Sequence, residues 1–420
     1  MTATAQTLGG APNLRDYAII TGTYWVFTLS DGALRMLVLL HLHQTGHSPF
    51  EIASLFLFYE FFGVLTNLFG GWIGARQGLK LTLASGVALQ VAACSLLAWS
   101  APALSVPLVM LAQAMSGTAK DLTKMSSKSY VKLVAPRGDE GGLMRWVAVL
   151  TGSKNTLKGV GFFLGGALLS EFGFRDTCWA MAAVLAGALV LSSCMLPRAA
   201  GRSSSKAKLG QLISKDPRVN WLSGSRFFLF GARDIWFVLA LPIFLSSALD
   251  WGHAQVSAFL ALWVIGYGIV QALAPNFVGA VKATEKRGAP TSAHLTRWTA
   301  GLLIPLLAIC ASLSLGGPAR ETLIVGLLVF GFVFAATSAI HSYLIVSYSD
   351  DDKVSLNVGF YYMANAAGRL AGTVLSGSLF QMAGQGAQGL LVCLLASSSF
   401  VVLSTLLCLP LARRKVPVQA

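Results

Sequence analysis

Apolar stretches of membrane length recur along the chain, separated by short polar turns. They occupy residues 17–41, 49–75, 79–99, 103–125, 143–170 and 177–196, and then 221–248, 254–279, 298–315, 322–347, 356–383 and 389–409. About 20 apolar residues in a helix cross the hydrocarbon core of a bilayer, so each stretch predicts one membrane helix. The segment between the two sets carries Arg198, Arg202, Lys206, Lys208, Lys215 and Arg218 with a serine run, the composition of a flexible basic linker. The organisation expected is a six-helix bundle over residues 1–196, a linker over 197–220 and a second six-helix bundle over 221–420.

The halves resemble each other. Residues 63–74 (GVLTNLFGGWIG) align with 268–279 (GIVQALAPNFVG), and 157–173 (LKGVGFFLGGALLSEFG) with 368–384 (GRLAGTVLSGSLFQMAG). The second alignment pairs Gly161 with Gly372, Gly166 with Gly377 and Gly173 with Gly384. Duplicated halves of this kind belong to transporters that place their substrate between the repeats near the bilayer midplane.

Composition strengthens the assignment. Of 420 residues 55% are apolar and only 11% charged, against about 25% charged in soluble domains. An all-α integral membrane protein fits, and an ordinary cytosolic enzyme does not. The net charge of +14 is a topology signal rather than a nucleic-acid footprint, because no basic segment stands apart from the spans. With the N-terminus in the cytosol, the outer loops hold only Arg175 and Arg320. Eight Lys/Arg lie in the interior of the spans and Lys80 and Arg145 in the first turn at their cytosolic ends, which leaves 21 of the 31, these two included, on the cytosolic side and predicts both termini there. Residues 1–17 lack a basic region ahead of a short apolar core, so no cleavable signal peptide is expected. A monomer in the lipid bilayer is expected.

Cofactor and metal signals are lacking. The six cysteines are scattered in or beside apolar runs with no CxxC spacing, and read as buried small hydrophobes. His41, His43 and His47 read as interface residues of the first outer loop, since no cysteine or carboxylate completes a metal set. Gly159 and Gly161 sit inside a membrane helix and make a packing surface; no Walker A segment is present, which argues against ATP drive within the chain.

The candidate chemistry lies in the ionisable residues of the spans. Away from the span ends, Arg35, Lys120, Lys124, Lys154, Lys158, Arg226, Arg233 and Arg369 face only Asp31, Glu60, Asp121 and Asp234, an excess of four positive charges. A charge at a helix centre costs about 2.5–3.5 kcal/mol, so the surplus points to an anionic substrate as the missing partner. From the helical rise, Lys154 and Lys158 sit about 16 and 22 Å along their helix from its cytosolic end, Arg233 about 18 Å and Arg369 about 20 Å, all near the midplane. Arg226, about 7 Å in, is expected to snorkel to the interface.

In the repeat register Lys158 falls opposite Arg369, one cation from each half, and a substrate with two anionic groups would bridge them. Lys120, Lys124, Lys128 and Lys132 form a ladder at four-residue spacing that reads as an anion funnel. Anchoring at the cytosolic interface suffices for Lys128 and Lys132, while Lys120 and Lys124 serve equally as anchors or ligands. Asp31 and Arg35 stand at i,i+4 and either neutralise each other or free Arg35 for substrate. Arg233 and Asp234 are neighbours not expected to share a face, so at least one seeks a partner on another helix. Asn155, Tyr361, Tyr362 and Asn365 flank the deep cations, either bonding substrate oxygens or packing helices. Asp31, Glu60, Asp121, Asp234 and His341 are the proton-coupling candidates.

The loop GGWIGARQGLK at residues 70–80 is similar to the motif between helices two and three of the major facilitator superfamily. Arg76, Gly78 and Lys80 match; Ala75 stands where the family has Asp and Leu79 where it has Arg. The opening FGFRDTCWAM of helix six is also similar. More narrowly, SDGALRMLVLLHLHQTGHSPFEIA, FLFYEFFGVLTNLFGGWIGA, AKDLTKMSSKSYVK, GSKNTLKGVGFFLGG and SRFFLFGARDIWFVLALPIFL resemble the organoarsenical efflux permeases of bacterial arsenic-resistance operons. That resemblance implies a twelve-helix facilitator in a bacterial inner membrane that exports 1-arseno-3-phosphoglycerate. It also implies a functional link to glyceraldehyde-3-phosphate dehydrogenase, which makes this ester when arsenate replaces phosphate. An organophosphate:phosphate antiporter of the same fold is the alternative, and a proton-coupled multidrug exporter a more distant one.

Overall fold

The computed structural model describes residues 14–45, 49–135, 139–196, 214–279, 289–350, 353–384 and 386–413. Every regular element among them is helical. In chain order these are α1 (Leu14–Gln44), α2 (Pro49–Gln77), α3 (Leu79–Ser100), α4 (Val106–Val134), α5 (Glu140–Met195), α6 (Pro217–Phe237) and α7 (Ala240–Ser247). They continue with α8 (His253–Leu273), α9 (Ser292–Gly301), α10 (Leu303–Ser314), α11 (Ala319–Ser347), α12 (Val354–Met382) and α13 (Gly386–Arg413).

The apolar pattern maps onto these helices with local breaks. The 56-residue α5 is two crossings, separated at Gly173, whose φ of 72° is left-handed and suits a residue without Cβ. A seventh crossing is divided into α6 and α7, and a ninth into α9 and α10. In each case a proline follows the break, Pro242 and Pro305, and its missing N–H removes the bond to the carbonyl four residues earlier. Eight helical segments are apolar and long enough to span a bilayer. Counting both arms of α5 and adding α2, α4 and α12, which carry the polar seam residues, gives twelve crossings. α6 opens at Pro217, capped by Asp216, slightly before the first apolar residue of that span.

Three large clusters of buried side chains hold most of the bundle. One lies within the first half around Phe27, Leu37, Cys94 and Leu185, and another within the second around Trp236, Trp263, Phe330 and Leu394. The third joins the halves at the end nearest the linker, where Met125, Val131 and Val147 meet Ile340, Val358 and Tyr361. The repeat glycines occupy matching places. Gly161 packs on the α1 backbone at Leu29 and Gly32, and Gly372 on the α6 backbone at Gly231, while Gly173 and Gly384 both have positive φ. All six cysteines are unpaired thiols; five are buried and Cys194 is exposed.

Between the halves α2 crosses α12, and α5 crosses α8. Both crossings are backbone-close on the linker side: Gly71 against Gly359 and Ser355, and Gly152 against Gly268 and Ala272. Ser355 Oγ donates to the Gly71 carbonyl at 2.9 Å. Farther out, Tyr343 Oη and Ser347 Oγ on α11 donate to Glu140 Oε2 on α5, at 2.5 and 3.2 Å. The linker side of the seam is therefore sealed.

Candidate functional site

The first half contributes a cluster built from α1, α2 and α4. Asp121 lies between two lysines of its own helix: Lys124 in close ion-pair contact and Lys120 at 3.7 Å. Lys120 Nζ also stands 3.7 Å from the centre of the Tyr59 ring, and the Arg35 guanidinium lies 4.6 Å from the same ring. The Tyr59 hydroxyl donates to Asp31 at 2.8 Å. Asp31 and Arg35 thus meet through Tyr59, which contacts both. Glu60 lies outside the described side chains.

Higher along α5, Lys154 and Lys158 are half-buried and make no ion pair among the described residues. Lys158 Nζ is 5.9 Å from the Phe162 ring. The charges facing Lys154 are Lys124, Lys120, Asp121 and Arg369, and those facing Lys158 are Arg35, Asp31, Lys120 and Arg369. Arg369, from the other half, is in the field of both.

The second half offers a compact triad. Arg233 Nη2 lies 2.5 Å from Asp234 Oδ1, and Arg369 Nε donates to Asp234 Oδ2 at 3.0 Å. Arg233 and Asp234 do meet, correcting the expectation that sequence neighbours on a helix stay apart: the long guanidinium arm reaches the adjacent carboxylate. Asp234 also takes the partner on another helix that the sequence demanded. Arg233 is surrounded by the Phe230, Phe237 and Phe334 rings at 5.0–5.8 Å. A cation against aromatic faces in a dry environment gains about 1–2 kcal/mol, so the rings share in holding it.

Toward the linker side a hydrogen-bonded chain crosses the seam. Asn155 Nδ2 on α5 donates to Gln271 Oε1 at 2.7 Å, and Gln271 Nε2 donates to Ser338 Oγ at 3.1 Å. Ser338 Oγ also accepts from Arg226 Nη1 at 3.0 Å, and Arg226 Nε donates to Asn365 Oδ1 at 2.9 Å. Arg226 stacks over Phe230 at 3.8 Å and stands 5.2 Å from Tyr361. It is 3% exposed, so the expected snorkelling to the interface is overturned: α11 and α12 cover it. Lys128, expected at an interface, is 1% exposed, with Nζ 5.0 Å from the Tyr362 ring. His341 is fully buried, with Nε2 3.4 Å from Ser225 Oγ and its ring 6.3 Å from that of Tyr361.

Solvent access runs in one direction. Lys128 is sealed, the Lys124 and Lys120 side chains are 8% and 10% exposed, and Arg369 keeps 25%. The deep cations are therefore reached from the end opposite the linker. Nothing in the sequence analysis singles out Gln271, Ser338 or Tyr59. The usable signal was Gln271, a primary amide near the end of the otherwise apolar run of α8.

Elsewhere, His41 stacks on Phe174 at 4.1 Å; His47 and the His43 side chain lie outside the described residues. No metal-ligating cluster occurs among the described residues. Between α2 and α3 Gly78 has φ 100°, and in the first turn of α3 Lys80 Nζ donates to the Leu196 carbonyl at 2.5 Å. Ala75 is buried with Leu356 against Trp72, an apolar contact where the related motif has an acid.

Residues 20–289 match the family model described as Major Facilitator Superfamily. No curated protein sequence matches the chain significantly. Among solved structures, the human organic anion transporter MFSD10 (TETRAN) superposes with a TM-score of 0.73 at 17% identity, covering 95% of this chain and 100% of that one. A bacterial homologue of the iron transporter ferroportin, outward-facing with soaked iron, gives 0.74 at 15% identity over 95% and 99% of the two chains. The proton:xylose symporter XylE gives 0.70 at 13% identity over 94% and 95%. At these identities the likeness is one of fold.

Proposed function

Because the chain belongs to the major facilitator superfamily and is a multi-pass membrane transporter, we propose that it exports a small organic anion with phosphate- or arsenate-type groups. The substrate proposed is 1-arseno-3-phosphoglycerate, carried by alternating access from the cytosol across a bacterial inner membrane. Both termini and the linker are then cytosolic, and the present conformation faces outward. The transporter acts as a monomer in the bilayer, supplied by glyceraldehyde-3-phosphate dehydrogenase, and confers resistance to arsenate.

The observation that carries the reading is the cationic seam. Lys154 and Lys158 of one half make no ion pair among the described residues, and Arg369 of the other half lies within their field. Cations removed from water need a counter-charge, and a mobile anion supplies it at the interface that opens and closes. An ester with anionic groups at both ends reaches Lys158 and Arg369 together, so its binding favours approach of the halves. The motif resemblance narrows this anion class to the arsenical.

The test is uptake of radiolabelled arsenic into inverted membrane vesicles supplied with arsenate, glyceraldehyde-3-phosphate, NAD and the dehydrogenase, each omitted in turn. Accumulation only in the complete mixture is expected. No accumulation, in vesicles that exchange phosphate for sugar phosphate, would hand the function to an organophosphate:phosphate antiporter.

A further inference from the structure

The intramembrane charges form two tiers. From the rise of α4, Lys128 lies about 12 Å linker-ward of Lys120, and on α6 Arg226 lies about 10 Å linker-ward of Arg233. The upper tier contains its own acids, Asp121 and Asp234. Among the described residues the lower tier has none in contact: Arg226 is held by the neutral Asn365 and Ser338. Among the described residues Lys128 Nζ is buried with no hydrogen-bond partner, and the charged groups near it are Arg226, Lys154 and Lys124, all cations.

We propose that Lys128 and Arg226, with Tyr361 and Tyr362 between them, form a second anion site below the central one, which takes a compact phosphate-like oxyanion when the linker side opens. Tyr361 and Tyr362 pack edge to face at 5.1 Å, with Arg226 beside the first ring and Lys128 beside the second. The Tyr361 hydroxyl, fully buried, adds a donor. Two buried cations without a carboxylate are costly, and Arg226 has no neutral form to adopt. An oxyanion arriving from the linker side passes Lys132 at the mouth and meets Lys128 and Arg226, and Lys124 then leads it up α4 to Lys154 and Lys158. The site rests on the reading of the seam as an anion path, and it gives that path its first stop.

The experiment measures binding of radiolabelled orthophosphate to the purified full-length chain in nanodiscs, with wild type, Lys128→Gln, Arg226→Gln, Arg226→Lys and Lys158→Gln compared. Folding is checked by gel filtration and thermal unfolding. Two binding components are expected in wild type. Lys128→Gln and Arg226→Gln weaken one of them by about tenfold or more, while Arg226→Lys retains it. Lys158→Gln weakens the other. Both components unchanged in Lys128→Gln and Arg226→Gln, with Lys158→Gln impaired, would remove the second site and leave the proposed function standing. A single component of adventitious strength that ignores all four substitutions would remove both.

Discussion

Replacing Gly268 by Ala tests whether the sealed linker side is one of two states or a fixed wall. A Cβ at Gly268 would lie 2.5 Å from the backbone nitrogen of Thr156 and 2.7 Å from the Gly152 carbonyl. Ordinary Cβ contact begins at 3.4 Å, so α5 and α8 must part by most of an ångström, and the obstacle is backbone that cannot rotate away. Overpacking of this kind costs about 1–3 kcal/mol. The cost falls on the conformation in which α5 and α8 cross, and is absent once the halves separate there. The open population should therefore rise by about 5- to 150-fold. Ser355, 1% exposed and bonded to the Gly71 carbonyl, provides the reporter. With Cys194 replaced by Ala, the chain carries Ser355→Cys in nanodiscs, and labelling by a hydrophilic maleimide is timed with and without Gly268→Ala. Faster labelling by a factor in that range is expected. An unchanged rate in protein that elutes and unfolds like the parent would refute the argument that this crossing is the moving contact.

Three further outcomes are expected. Lys158→Gln and Arg369→Gln should each abolish arsenical uptake by inverted vesicles while expression stays normal, and near-normal uptake in both would end the bridging role. Asp234→Asn leaves Arg233 and Arg369 without their shared carboxylate, a loss of about 3–5 kcal/mol for a buried pair; thermal unfolding should drop, and adding Arg233→Met should recover part of it. No recovery would mean that Arg369 alone needs the acid. Glu140→Gln weakens the contacts from Tyr343 and Ser347 by about 1 kcal/mol, and should raise Ser355→Cys labelling severalfold. Slower labelling would show that Glu140 opposes closure.

The spans were legible because hydropathy over some 20 residues is a strong signal, and the repeat register correctly matched Gly161 with Gly372 as packing positions. Position along a helix, which the sequence also gives, misled at Lys128 and Arg226. Both stand toward the linker end of their helices, where a lone helix lets a cation reach water. Burial there comes from other helices: Tyr362 of α12, in the opposing half, lies over Lys128. Arg226 is covered within its own half, by Ser338 of α11 and Asn365 of α12. Depth is a property of one helix and cover a property of several, so only the assembled bundle distinguishes an interface anchor from a sealed cation. The same limit hid the bridge from Asn155 to Gln271, since two neutral amides on separate helices carry no pairing signal.

One packing device in each half fixes the two cations expected to share the substrate, and it also makes them unequal. Gly161 lets α5 approach α1, Gly372 lets α12 approach α6, and about one turn toward the linker from each glycine stands Lys158 or Arg369. The depths match, but the local chemistry differs. Arg369 is held by Asp234 at 3.0 Å, whereas Lys158 makes no ion pair among the described residues. An arriving anion therefore satisfies Lys158 at once and reaches Arg369 only by competing with a carboxylate. A substrate with one anionic group has little left to compete with, so it should bind without drawing the halves together. A substrate with two keeps one group on Lys158 and presents the other to Arg369 at high effective concentration. Orthophosphate should thus compete for binding yet be carried much more slowly than a two-headed phosphate ester. In Asp234→Asn, where the competitor is gone, the difference between the two should shrink. Equal transport of both anions by the wild type would remove this ordering of events.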